Sequence, residues 1–332
     1  MTAATIHRLD GLEPDNLLAF LALLGLLRSL EADDRERSEE DRARPRAAWD
    51  VASPPLRPRL HLVLALTREA IAERANNGVR RLAGSHDFAG RQDINFSQEE
   101  CRALLKSAAE EARHDARDRV DLLAALMSDA AIKDGKDREV DPTPLCLLFG
   151  QGHQHFLDRL ASVPLQDAPP PRGRGGLGVG GTAVQSLNEA LFEPWRRSDQ
   201  TSSFRWDPAE DVRYALRPGD PTDSAYKAAT QHGANRLAAI ALALLTLAPE
   251  TRAGRVRPTI IGGKAGADGF RFAWPIWREP ATLAAIAALL ADPDLTEAGA
   301  MSYLRVERVM VAHRISVGKF MNMSHGRTLA GA

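Results

Sequence analysis

The chain is poor in cysteine, poor in aromatics and has no excess of charge of either sign. Two cysteines in 332 residues, Cys101 and Cys146, are too few for a disulfide scaffold or a metal clip and fit a reducing, cytoplasmic setting. Forty-three Lys and Arg against 44 Asp and Glu leave a net charge of −1, so any nucleic-acid contact must come from local asymmetry. No apolar run reaches membrane length. Leu17–Leu27 is eleven residues, short of the roughly 20 a bilayer needs. Acidic residues precede it and no basic leader does, so a buried helix is expected rather than a targeting signal. Neither G-x-x-x-x-G-K-[ST] nor G-x-S-x-G occurs, which removes a P-loop and a nucleophile elbow. What is present, 44% hydrophobic and 26% charged residues, is the balance of a globular protein large enough for one big core or two ordinary ones.

Apolar side chains surround Leu17–Leu27 on nearly every side, which predicts an enclosed helix with Pro14 in its first turn and Asp10 or Asp15 as cap. Ala22, Gly25 and Ser29 give it one small-residue face. The mixed charges of Glu31–Arg46 predict a solvated helix end or surface loop. Trp49–Val51 and Leu60–Leu64 read as strands around a Pro-rich turn. Helices are expected near Arg68–Leu82, Gln98–Ala112, Val120–Ile132, Gly152–Leu160, Asn235–Leu247 and Thr282–Leu290. Arg257–Ile261 and Gly269–Trp274 resemble paired strands, and Leu304–Ser316 a further one. The strongest boundary is Gln166–Gly181, where Pro169-Pro170-Pro171 is followed by a Gly/Arg run. The expected class is α+β, predominantly helical with short antiparallel strands. The expected organisation is an N-terminal mixed part at 1–165, a flexible Gly/Pro/Arg loop at 166–181, and a helix-rich, basic C-terminal part at 182–332.

Candidate catalytic groups are sparse. Gly173-Arg174-Gly175-Gly176-Leu177-Gly178 satisfies G-x-G-x-x-G, but prolines precede it and glycines follow, so it lacks the strand and helix of a dinucleotide site. A flexible loop, or a loop laid against a phosphate backbone through Arg172 and Arg174, is the expected use. His86-Asp87 and His114-Asp115 are dipeptides found in metal-dependent phosphohydrolases, but no further ligands stand at useful spacing. No catalytic residue, metal or cofactor is therefore expected.

Basic residues interleaved with aromatics remain: Phe192, Trp195, Arg196 and Arg197, then Phe204-Arg205-Trp206, then Phe270-Arg271-Phe272 with Trp274 and Trp277. Arginine offers phosphates a bidentate fork and aromatics offer bases a platform. The competing reading makes these aromatics core residues whose arginines snorkel or pair with Asp207, Glu210 and Asp211. Charge asymmetry points to the C-terminal part, because residues 251–332 carry eleven Lys and Arg against six Asp and Glu. There Arg314, Lys319, Asn322 and Arg327 gather around Ser316-Val317-Gly318, where glycine admits close backbone approach and Asn can read an adenine edge.

Several blocks taken together resemble proteins of type I-G CRISPR–Cas loci. They are Leu9-Asp10-Gly11-Leu12 with Leu17–Leu30, Phe204-Arg205-Trp206-Asp207-Pro208, Arg213–Arg217, Gly233-Ala234-Asn235-Arg236-Leu237, Phe272–Trp277 and Arg314–Phe320. The resemblance is to the large subunit of the interference complex or to the helicase–nuclease-associated protein of those loci. It implies a cytoplasmic, non-catalytic effector subunit with backbone subunits, guide RNA, target double-stranded DNA and the helicase–nuclease as partners, and no membrane. It also implies recognition of the protospacer-adjacent motif, help with R-loop formation and recruitment of the helicase–nuclease. The chain is shorter than many large subunits. On this reading Arg172, Arg174, Arg196, Arg197 and Arg205 face target duplex, and Arg314, Lys319 and Asn322 face a strand or the guide-RNA backbone. Near-neutral charge leaves a protein-only adaptor between effector and helicase–nuclease as the alternative. A metal-dependent nuclease through His86, Asp87, His114 and Asp115 is the remote one.

Overall fold

The computed structural model describes residues 5–112, 117–133, 138–148, 155–167, 182–210, 229–252, 254–266, 269–297, 299–317 and 320–329. Helix α1 (Leu17–Asp34) is buried almost throughout, as its all-round apolar surface requires. Asn16 caps it: its Oδ1 accepts from Ala19 N at 3.3 Å, while its Nδ2 donates to Asp207 Oδ1 at 2.9 Å. The cap is thus not the expected Asp10 or Asp15, and Pro14 lies before the helix. Instead Pro14 O accepts from the Trp274 indole at 3.0 Å, tying the start of α1 to the far end of the chain.

The small-residue face of α1 serves two neighbours. Helix α2 (Arg68–Ala83) presses Gly78 onto Ser29, where a Cβ would lie 1.9 Å from the Ser29 carbonyl oxygen. Helix α7 (His232–Ala241) crosses at Gly25, where a Cβ would lie 1.9 Å from Leu237 O. Helix α6 (Ala183–Phe192) seats against α7 in the same way, through Gly233 at Ser186. Helices α3 (Gln98–Ala112), α4 (Arg117–Leu126) and α5 (Phe156–Ser162) flank this group, and α8 (Leu283–Ala291) packs a Leu283, Ile286 and Leu290 face inward. The charge run after α1 is a surface segment, as expected, with Arg35, Glu36 and Ser38–Asp41 exposed; it is anchored by the buried Asp34 carboxylate, which accepts N–H groups from Ala43 and Arg44 at 2.7 and 2.8 Å.

The sheets are antiparallel and small. Strand β1 (Thr5–Arg8), which no pattern announced, pairs with β3 (Pro58–Leu62), and β3 pairs with β2 (Arg46–Trp49). Short strands β4 (Asp199–Gln200) and β5 (Ala229–Thr230) pair with each other, and β6 (Leu247–Arg252) forms a two-stranded ribbon with β7 (Arg255–Ile260). The largest sheet runs β11–β10–β9–β8, with β12 also on β10: β8 (Gly263–Gly266), β9 (Gly269–Trp277), β10 (Val306–Val317), β11 (Phe320–Met323) and β12 (Arg327–Thr328). The class is α+β. Two details differ from the sequence reading. Strand, not helix, dominates the described residues of the C-terminal part, and Arg257–Ile261 pairs with the segment before it rather than with Gly269–Trp274. The tight turn at Gly254 (φ +75°) folds β7 back onto β6.

One apolar core joins the N- and C-terminal parts, with Phe20 of α1 stacked on Trp274 of β9 at 5.7 Å. The segment 166–181 therefore separates stretches of chain, not cores. Among the described residues, no helix is long and apolar enough to cross a membrane. Replacing Gly25 by Ala should cost about 3 kcal/mol or more, since both sides of the contact are helix backbone. Urea unfolding measures it, and an unchanged midpoint would show that α1 and α7 can separate freely.

Candidate nucleic-acid interface

The aromatics are core residues. Phe192, Phe204, Trp206, Phe270, Phe272, Trp274 and Trp277 are all at most 3% exposed, so none offers a stacking platform. The arginines among them follow suit. Arg197 turns back onto Asp207, with Nε 2.7 Å from Oδ2, and lies over the Trp195 ring at 5.5 Å. Arg205 is 3% exposed beside Glu210, and burial pushes its guanidinium down to about 10. Arg205 is thus removed from any duplex-facing surface, and Arg197 is committed to an internal carboxylate. Arg196 is exposed. Arg172 and Arg174 lie outside the described residues, as do Lys319, His114 and Asp115.

In the second predicted cluster, Asn322 is 4% exposed and its Oδ1 accepts from Met323 N at 2.8 Å, so it has no base edge to read. Arg314 is half-buried on the core side of β10, 5.8 Å over the Phe270 ring and donating to Pro144 O at 3.4 Å; desolvation lowers its pKa. His86 is 1% exposed with Nδ1 2.9 Å from Leu160 O, and burial drops it to about 4, which suits a neutral core histidine that donates to a carbonyl. Asp87 beside it is exposed. Among the described residues, no three His, Cys, Asp or Glu side chains are grouped to hold a metal ion.

What the structure does assemble is a row of basic side chains on the outer face of the largest sheet. Lys264 of β8 stands opposite Arg271 of β9, and Arg271 opposite His313 of β10. Residues directly opposite in antiparallel strands share a face. The backbone of His313 bonds to Ser324 on its other side, N to Ser324 Oγ at 3.0 Å and O to Ser324 N at 2.8 Å. His313 and Arg271 are therefore a non-hydrogen-bonded pair, the closer of the two cross-strand geometries. Arg327 of β12 lies opposite Val311, on the same face one step along β10.

Period-2 alternation sends Phe270, Phe272 and Trp274 through to the core while Arg271 stays outside. A surface groove of about 510 Å³ runs over Arg271, His313, Ser324, His325 and Arg327, and a second of about 240 Å³ continues it past Lys264 to Glu250. His325 is held at its rim by Asp15, 3.2 Å away. Lys264, Arg271 and Arg327 form no ion pair with a described carboxylate. Cations opposite one another destabilise a sheet, and a bound polyanion relieves that cost. Of these residues, sequence reasoning singled out Arg271 and Arg327 but gave them the wrong companions. The signal for the rest was the strand alternation itself.

The chain matches no protein-family model and no curated protein.

Elsewhere in the core, a buried polar seam holds the 199–210 segment. Ser203 Oγ donates to Glu210 Oε1, and Asn235 Oδ1 accepts from Phe204 N at 3.3 Å. The buried Arg236 donates to Pro164 O, Ala183 O and Asn76 Oδ1 at 2.7–2.9 Å. Burial raises Glu210 to about 7. A carboxyl raised from 4.5 when folded binds its proton more tightly than in the unfolded chain, so its contribution is intact below pH 4.5 and is lost as pH rises through 7. Glu210→Gln should be more stable than the parent at pH 8, relative to the difference at pH 4.5, by about 3 kcal/mol. Paired denaturation curves at the two pH values measure this, and a pH-independent difference would contradict the buried, unionised carboxyl.

Proposed function

We propose that the chain is a non-catalytic subunit of a type I-G CRISPR effector complex. On this reading it contacts target double-stranded DNA beside its recognition motif, aids R-loop formation and recruits the helicase–nuclease. The observation that supports it is the row Lys264–Arg271–His313 with Arg327, basic side chains in one groove without ion-paired carboxylates. The row lies in the stretch of chain with the positive charge balance, and of the blocks that resemble type I-G proteins, Leu17–Leu30, Phe204–Trp206, Gly233–Leu237 and Phe272–Trp277 supply buried residues to the core. The contact falls on outer-face cations rather than on buried Arg205 and Asn322. A groove of Arg and Lys without exposed aromatics suits the phosphate backbone, which positions a protein on DNA without reading sequence. Sequence discrimination in such complexes comes from guide pairing and from a short duplex motif.

The test is DNA binding by the full chain, alone and with the effector's backbone subunits and guide RNA, over a salt series. The variant K264A/R271A/R327A should bind duplex more weakly at every sequence and flatten the log–log salt slope by about 3. An unchanged slope would remove the groove from the interface. Stable assembly with the backbone subunits but no effect on DNA retention would identify a protein-only adaptor instead.

A further inference from the structure

The β6–β7 ribbon is anchored at one end only. Leu247 and Ile260 at its base are 6% and 2% exposed, and Thr259 Oγ1 donates to Gly263 O at 2.9 Å, fixing the ribbon to the start of β8. Toward the tip the side chains open to solvent: Glu250, Thr251, Arg255 and Arg257 are exposed. At Gly254 an added Cβ would meet no atom within 4 Å, and Gly254 itself is exposed.

The pairing fixes what the ribbon shows. Glu250 stands opposite Arg257, and Thr251 opposite Val256. Arg255 lies two residues from Arg257 and shares its face. The tip-closing pair, residues 252 and 255, flanks a two-residue turn and is hydrogen-bonded, so hydrogen-bonded and open pairs alternate toward the base. Pro249 opposite Pro258 then falls at an open pair, where backbone N–H groups would face outward. Both are proline and donate nothing. The edges are blunted against a further strand, which argues against strand addition as the ribbon's use.

The ribbon borders the basic row, because Glu250 lines the same groove as Lys264, Arg271 and His313. A duplex whose backbone rests on those cations meets the ribbon beside it. The dimensions agree: a two-stranded ribbon fits the DNA major groove, about 12 Å wide and about 8.5 Å deep. At roughly 3.3 Å per residue, Arg257 lies about 7 Å behind Arg255, so both reach groove depth together. Glu250 beside phosphates is repelled, whereas in the groove floor a carboxylate accepts from a cytosine amino group.

We infer that the β6–β7 ribbon enters the major groove of a DNA duplex and reads base edges there, with Arg255 and Arg257 donating to guanine O6 and N7 and Glu250 accepting from cytosine N4. This rests on the reading of the neighbouring groove as a duplex-backbone contact and adds the element that discriminates sequence.

The experiment is selection by the full chain from a pool of duplexes carrying a randomised ten-base-pair window. The selected duplex is then titrated against the parent and against R255A/R257A. The parent should enrich a short G·C-containing motif. R255A/R257A should keep its binding to unrelated duplex and its salt slope within one, while losing about ten- to hundred-fold of its preference for the motif. The selected duplex made with 7-deazaguanine, which removes N7 and needs no protein variant, should lose preference in the same direction. Retention without enrichment, or a motif indifferent to both the arginines and the 7-deaza substitution, overturns the ribbon's role and leaves the backbone contact standing. Failure to retain any duplex overturns both.

Discussion

The burial of α1 is the constraint on which the other elements depend. An eighteen-residue helix with no polar stripe cannot lie on a surface, so helices must close over it and a sheet must back it. Two closest approaches set the spacing, Gly25 under α7 and Gly78 over Ser29, and both put backbone against backbone where even a methyl group has no room. Around them the indoles act as clamps: Trp206 donates to Leu145 O, Trp274 to Pro14 O and Trp277 to Ala47 O, at 2.7–3.0 Å. Each brings together stretches of chain distant in sequence, so helix group and sheet form a single packed body.

The same packing decides which charges are available outside. Because the core side of β9 takes Phe270, Phe272, Trp274 and Ile276, Arg271 falls on the opposite side, which is open at Arg271 and covered from Ala273 onward. Register with β8 and β10 then lines up Lys264 and His313 beside Arg271. The basic row is a by-product of strand pairing in its placement, but its composition is not: three of the positions the register lines up are cationic or imidazole side chains. Apolar burial therefore orients a charged face with little slack, and a one-residue slip would bury the cations and expose the aromatics.

Much of the helical framework was legible in sequence because it is local. An unbroken apolar run gave α1, which continues past it to Asp34, apolar spacing gave α2, α3 and α8 to within a few residues, and the small-residue face of α1 proved to be its packing surface. Pairing was not legible, because partners lie far apart: the cap on α1 is completed by Asp207, and β1 is defined only by β3. At the candidate site, adjacency of Arg and aromatic residues in Phe270–Phe272 and Phe204–Trp206 allowed either a common surface or core aromatics with committed arginines, and the burial of the aromatics decides for the second. In Phe270–Phe272 adjacency marks opposite faces of a strand, and in Phe204–Trp206 the whole segment is buried. Asn322 failed for a different reason, since its short side chain satisfies the next backbone N–H.

The distance along the chain between α1 and its covers has a consequence for synthesis. Helix α1 ends at Asp34, whereas α7 begins at His232 and β9 at Gly269. At about 5–20 residues per second, a ribosome needs roughly 10–40 s to supply α7 after α1 has emerged. During that interval the most apolar segment of the chain has only α2 to lean on. The nascent polypeptide thus carries a leucine-rich surface without its later covers through most of translation, the kind of surface that invites aggregation and that chaperones shield.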